Sequence, residues 1–160
     1  MNFGIIYGMG AKSFSLKLNC SEEQAKQFKE WYFELFPKVR AFMFEVSSRI
    51  KNRGFIFNAF GRYRRHTPDE AYKGVNSLIQ GCAADILKIA LVNVHKLLKN
   101  RKSKILLCVH DEVILRIHKT ERDLIPLIKT EMENFNQFTV PLPVSIQWSD
   151  KNWGHKVEAI

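Results

Sequence analysis

The stretch Ile105–Ile117 (ILLCVHDEVILRI) constrains this chain more than any other. Two apolar, strand-like runs meet at His110-Asp111-Glu112, with neither Gly nor Pro between them. A continuous strand would bury those polar groups among apolar neighbours, which costs free energy unless each finds a partner. A hairpin puts them at its tip. The expected pairing is therefore antiparallel. Helical patterns surround it in the order helices, hairpin, long helix, hairpin, helix, strand, so the class is α+β with an antiparallel sheet.

The helical stretches carry their own signals. Residues 1–18 open on an apolar run broken by Gly4, Gly8 and Gly10, read as a short helix running into a turn. Ser21 followed by Gln24 forms a candidate capping box that starts a helix reaching about Phe36. Phe28, Trp31, Tyr32 and Leu35 share one face of it. Pro37 ends that helix or begins the next, where Val39, Phe42, Met43, Val46 and Ile50 mark a second stripe that stops near Gly54. Both stripes read as packed core. Phe55–Arg65 (FIFNAFGRYRR) changes period and predicts a small hairpin around Asn58 and Gly61, followed by a turn at Thr67-Pro68-Asp69. Helical pattern returns from Asp69 to Leu98, with Ile79, Cys82, Ala83, Ile86, Ile89, Ala90 and Val94 on one face. Gly81 and Ala83-Ala84 leave a narrow surface there for a close neighbour. Asn100–Lys104 reads as a basic loop. Thr120–Phe135 predicts a further helix with Leu124, Leu127, Ile128 and Met132 inward, and Val140–Trp148 a closing edge strand.

Composition narrows the partners. With 160 residues, 46% hydrophobic and 26% charged, the chain suits one domain or two small sub-domains, and disordered and fibrous classes are excluded. No apolar run approaches the roughly 18–20 residues that cross a bilayer, and the N-terminus lacks the pattern of a signal peptide. Membrane partners are not expected. Cys20, Cys82 and Cys108 lie far apart, against a zinc ribbon or redox pair and in keeping with a reduced, cytoplasmic setting. Lys and Arg total 25 against 16 acids, a net +9 that favours a polyanionic partner, nucleic acid first.

Four groups of residues could carry chemistry. Asp111 and Glu112 at a hairpin tip suit a hard cation such as Mg²⁺, which takes one or two carboxylates and completes its shell with water and phosphate oxygens. The plainer reading is a solvated turn. Arg62, Tyr63, Arg64 and Arg65 suit phosphate contact or a solvated charge run. Asn76 and Gln80 stand one helical turn apart, so both amides can reach one groove. Phe3 and Tyr7 share a helical face, to stack on a base or to pack inward; packing is the expected outcome.

In chain order, several segments resemble the motifs of family A DNA polymerases. NFGIIYG at 2–8 is similar to the second half of motif B, Gln80-Gly81-Cys82-Ala83-Ala84-Asp85-Ile86-Leu87-Lys88 to the QGxAADxxK helix, and Val109-His110-Asp111-Glu112 to motif C. Val140-Pro141-Leu142 and Asn152-Trp153 resemble the family's closing strand and tail, and Tyr72–Gln80 looks like phage members. The resemblance implies the end of a helical fingers sub-domain at 1–53 and the C-terminal half of a palm at 54–160. It implies catalysis at Asp111 with Glu112 assisting, Asp111 being a ligand of one of two Mg²⁺ ions. His110 would lie by the primer terminus, and Phe3 and Tyr7 against the incoming dNTP. Asn76 and Gln80 would touch the minor groove, with Arg62 and Arg65 on the backbone; Asp85 and Lys88 would be structural. Motif A, the basic start of motif B, the thumb and any exonuclease fall outside this sequence. Tyr72 stands where bacterial members carry arginine, a loss for which Lys73 could substitute. The expected protein is thus a fragment or split subunit of a polymerase. It acts on primer–template DNA with a second polypeptide that carries motif A, and is inactive alone; a start at Met1 fits a break in a longer chain. The alternative is a non-catalytic DNA-binding remnant.

Overall fold

The computed structural model describes residues 2–158. Met1, and with it the reading of where the chain starts, lies outside them, as do Ala159 and Ile160. The chain divides into two compact units, Met1–Ala83 and Ala84–Ile160. The division falls within one long helix. The helix and hairpin that meet at the expected 53/54 border thus share a unit.

In the first unit, α1 (Asn2–Ile6) turns at Gly8 into α2 (Ala11–Leu18). The sequence reading stopped at that turn and missed α2, although Phe14 and Leu18 stand four residues apart and both join a core around Ile5 and Ala25. Gly8 is required on two counts. Its φ is +80°, and a Cβ there would lie 3.1 Å from the Tyr72 carbonyl oxygen.

Helix α3 (Glu22–Leu35) starts at the expected capping box. The Gln24 N–H donates to Ser21 Oγ at 3.1 Å, and the Ser21 N–H to Gln24 Oε1 at 3.0 Å. Pro37 is the first residue of α4 (Pro37–Arg53), a place where its missing N–H costs nothing. Gly54 closes that helix at φ 74°, its N–H donating to the Ile50 carbonyl at 2.8 Å.

The expected core faces of α3 and α4 are only partly covered. Val46 and Ile50 are buried with Ile56, Ala71 and Val75, while Phe28, Trp31, Leu35 and Phe42 are exposed. Of α3, only Ala25 is fully buried. An apolar stripe states that a helix has a greasy side; it does not supply the neighbour that covers it.

Strands β1 (Phe55–Phe57) and β2 (Tyr63–Arg65) form the expected small hairpin, with Ile56 opposite Arg64. Asn58 organises its loop: Oδ1 accepts from the Phe60 and Arg62 N–H groups at 3.0 and 2.8 Å. A 3₁₀ turn (Pro68–Lys73) leads into α5 (Gly74–Leu97). The predicted inward face of α5 is corrected. Ile79 and Ile89 are exposed, whereas Val75, Asp85, Ala90 and Val94 are buried. By length and a mean hydropathy of 1.4, the stretch Pro68–Leu97 is long and apolar enough to cross a bilayer, contrary to the sequence expectation. A soluble protein's core helix passes the same test, and this one buries a carboxylate, Asp85.

In the second unit, β3 (Lys104–Val109) and β4 (Glu112–Arg116) make the predicted hairpin, with a register shift between Ile105 and Leu107. Its core joins Val94 and Leu98 to Leu124 and Ile128 of α6 (Leu124–Glu133), with Ile105, Leu115 and Met132 against it. Leu127, expected inward, is exposed. The closing strand is shorter than expected. Only Gln147–Trp148 (β5) pairs, with Val157–Glu158 (β6). Pro141 and Pro143 cannot donate to a ladder, and the Val144 N–H goes instead to Glu133 Oε1 at 2.7 Å. The described strands thus form three two-stranded antiparallel sheets among helices, an α+β architecture.

Candidate nucleic-acid interface and metal ligand

Within the first unit, Phe3 of α1 and Tyr7, just past its end, have ring centroids 6.0 Å apart and tilted. Phe3 is 73% exposed, so the expected inward packing fails and its ring faces solvent. The helix is anchored through Ile5, which is buried in a core with Phe14 and Ala25, Met9 packing against it.

Strand β2 and the first turns of α5 enclose an open cleft of about 390 Å³ lined by Arg64, Arg65, His66, Ser77, Gln80 and Gly81. Gly81 faces the hairpin but is not required for the approach, because a side-chain carbon there would meet only ordinary contacts. An added Cβ there would lie 3.5 Å from Asn58 Nδ2 and 3.9 Å from Arg64 Nε. Gln80 and Arg65, both singled out from sequence, therefore come together. Arg65 also lies over the Tyr63 ring at 5.4 Å, within a cluster of Phe55, Phe57 and Tyr63.

Two polar atoms in this unit, His66 Nε2 and Asn76 Oδ1, are buried without a hydrogen-bond partner. Sequence reading offered Arg62, Arg64 and Arg65 together for phosphate contact; which of them line the cleft, and that His66 joins them, depends on where the hairpin meets α5. Arg62 does not line the cleft. Lys73 is held by Glu70 at 2.9 Å and lies 5.6 Å from the Tyr72 ring centroid, which occupies the cation expected to replace the missing arginine.

The second unit presents His110 and Asp111 as the two loop residues of the β3–β4 hairpin, directly before Glu112, whose partner is Val109. Tight two-residue hairpins commonly need positive φ in the loop, and His110 adopts φ 54° without being glycine. The Asp111 carboxylate is exposed and has no hydrogen-bond or ion-pair partner among the described residues. Glu112 has one: Lys156 Nζ at 3.3 Å, itself 5.0 Å from the Trp153 ring centroid.

No group of three metal-ligating side chains occurs among the described residues. Asp111 fits Mg²⁺ in kind, a hard oxygen donor open to solvent. In number it is a single donor, fewer than the oxygens such an ion takes.

Short antiparallel hairpins set among helices, one tipped by an exposed carboxylate and another lining an arginine-bearing cleft, define an α+β protein. Comparison with known proteins makes this specific. The family model for DNA polymerase family A matches residues 1–155, and the chain belongs to that family. It is 36% identical to DNA polymerase I of Caldicellulosiruptor bescii over 96% of this chain and 19% of that protein. To the thermostable DNA polymerase I of Thermus aquaticus it is 37% identical, over 91% and 19%. Among solved structures, the POL domain of Pol1 from M. smegmatis, in complex with DNA primer-template and dNTP, superposes with a TM-score of 0.80 at 32% identity. That match covers 89% of this chain and 27% of the other. The chain thus spans about a fifth of the length of the curated relatives it matches.

Proposed function

We propose that this chain supplies the end of the fingers (1–53) and the C-terminal half of the palm (54–160) of a template-directed DNA polymerase that adds dNTPs to a primer 3′-end. The supporting observation is the free Asp111 carboxylate at the tip of a tight hairpin, in a chain whose family match runs over residues 1–155. On this reading Asp111 is a ligand of one of two Mg²⁺ ions, which together neutralise the phosphates and stabilise the attacking and leaving oxygens. Glu112, steadied by Lys156, assists beside it. His110 meets the primer terminus, and Phe3 and Tyr7 meet the sugar and base of the nucleotide. Gln80 and Asn76 read the minor groove, where acceptors are shared by all correct pairs; Arg62 and Arg65 hold the backbone. A second polypeptide carrying motif A completes the metal site, and the setting is cytoplasmic. The incomplete donor set also supports a second reading, a DNA-binding remnant without catalysis.

Both readings require binding to primer–template DNA. With about 4–6 phosphates neutralised, the log affinity should fall with log salt at a slope of roughly −4 to −5. Fluorescence anisotropy across a salt series measures this. No binding at low salt, or binding indifferent to salt, overturns both.

A further inference from the structure

The segment after α6 ends in one contact with the β3–β4 hairpin. Lys156 Nζ stands 3.5 and 3.3 Å from the two carboxylate oxygens of Glu112, across 44 residues of chain. This lysine lies one residue past the family match and belongs to the same compact unit as the hairpin. Several local bonds deliver it. Ser149 Oγ accepts from the Lys151 and Asn152 N–H groups at 3.2 and 3.3 Å. Asn152 Oδ1 accepts from the Gly154 N–H at 3.0 Å and lies 2.8 Å from His155 Nδ1. The pairing of Trp148 with Val157 closes this loop directly after Lys156. The Trp153 ring lies beneath the ammonium, its centroid 5.0 Å away. Held at its backbone and over a ring, Lys156 loses less freedom on pairing than a lysine on an open surface does. Asp111, next to Glu112 at the hairpin tip, is exposed and has no partner among the described residues. Two adjacent carboxylates at a tip can both serve one hard cation, whose affinity rises with the charge of its ligands. Here an ammonium already stands against both oxygens of one of them.

We propose that Lys156 is a positioning residue that holds the Glu112 carboxylate against the C-terminal loop and so keeps it out of the shell of a divalent ion on Asp111. This rests on the proposed metal role of Asp111 and adds what sets the number of carboxylates the hairpin gives. Lys156 acts as a built-in cation that competes with the metal for Glu112. Asp111 is left as the tip's one free donor, and the ion's other positions stay open to water and phosphate oxygens.

The test uses the intact chain and Mn²⁺, an oxygen-seeking ion of the same class whose free form is counted by electron paramagnetic resonance. Lys156→Met should bind Mn²⁺ about three- to tenfold more tightly than the parent, a range bounded by the modest strength of an exposed ion pair. Lys156→Arg, which keeps the charge, should stay within about twofold of the parent. Trp153→Leu removes only the ring beneath the ammonium and should give part of the gain. The gain should vanish in a Glu112→Gln background, because no carboxylate is then left to release. Asp111→Asn should abolish binding in the parent and in Lys156→Met, which checks the metal reading by itself. Melting curves establish that each variant is folded. Binding absent from both the parent and Lys156→Met, or unchanged by Asp111→Asn, overturns the metal role of Asp111 and this proposal with it. Lys156→Met no tighter than the parent, with Asp111 still required, overturns the positioning role alone. A gain that persists with Glu112→Gln also overturns it, since Lys156 would then act on the ion by bare charge.

Discussion

Gly74 and Gly81 lie about two turns apart on α5, yet they answer the same substitution in opposite ways. At Gly74 a Cβ would overlap Ile50 Cδ1 and lie 2.7 Å from Val46 Cγ1. Both neighbours are buried in the core of their unit and cannot move aside. Gly74→Ala should therefore destabilise by about 1–3 kcal/mol through overpacking. At Gly81 the new methyl meets only ordinary contacts, and Gly81→Ala should be neutral or stabilise by up to about 1 kcal/mol through helix propensity. Urea midpoints decide both, and equal effects at the two sites would refute the packing argument. Glu121 offers a second test at this scale. It accepts hydrogen bonds from the Ser103 hydroxyl at 2.7 Å and from the Ser103 and Lys102 N–H groups at 2.8 and 3.1 Å. Chiefly through the Ser103 hydroxyl, these lower its pKa from 4.5 to about 2. The folded value lies below the unfolded one, so its contribution is complete above pH 4.5 and is lost as the pH falls toward 2. Glu121→Gln should be less stable than the parent at neutral pH, with the gap closing across that window. A gap that stays constant with pH would show that the carboxylate's charge does not matter.

At the scale of elements, the sequence was legible where a local rule decides the outcome. Ser21 with Gln24, Pro37, Gly54 and the Asn58–Gly61 loop each place a boundary through backbone hydrogen bonding or φ alone, and the structure puts the boundaries there. The β3–β4 hairpin followed from the cost of burying His110, Asp111 and Glu112. What could not be read was coverage. Phe28, Trp31 and Phe42 have the spacing of a core stripe, but coverage depends on which element comes to lie against them, and spacing carries nothing about that. The site divides in the same way. Helical spacing put Asn76 and Gln80 one turn apart, but that Gln80 lines the cleft with Arg64, Arg65 and His66 while Asn76 does not, and that Lys156 meets Glu112 across 44 residues, required the fold. The exposed stripe makes its own prediction. Trp31→Gln and Phe42→Gln should each change stability by less than about 0.5 kcal/mol, because Trp31 is 54% and Phe42 44% exposed. Ile50→Ala, with no exposure, should cost about 2–5 kcal/mol. The two surface variants should also bind less hydrophobic dye. Losses from them comparable to that of Ile50→Ala would mean the stripe is covered after all.

For the molecule as a whole, the decisive quantity is the number of carboxylates that can face a metal. Two-metal phosphoryl transfer needs ligands that bracket both ions from different directions, and this chain offers Asp111 with an adjacent Glu112 already engaged by Lys156. Adjacent residues on one hairpin cannot supply the opposing ligand. On the proposed reading, the chain alone should add no measurable nucleotide to a primer with Mg²⁺ and dNTPs, although it binds the duplex. Addition should appear when a second polypeptide supplies motif A, the upstream palm and the basic start of the motif B helix. In that complex, Asp111→Asn should remove activity by several orders of magnitude and leave duplex affinity nearly unchanged, since it deletes a metal ligand and not a phosphate contact. Primer-extension gels and anisotropy on the same preparations separate the two effects. Robust extension by the lone chain would refute this account of the metal site. A complex that extends primers equally well with Asp111→Asn would remove Asp111 from catalysis altogether.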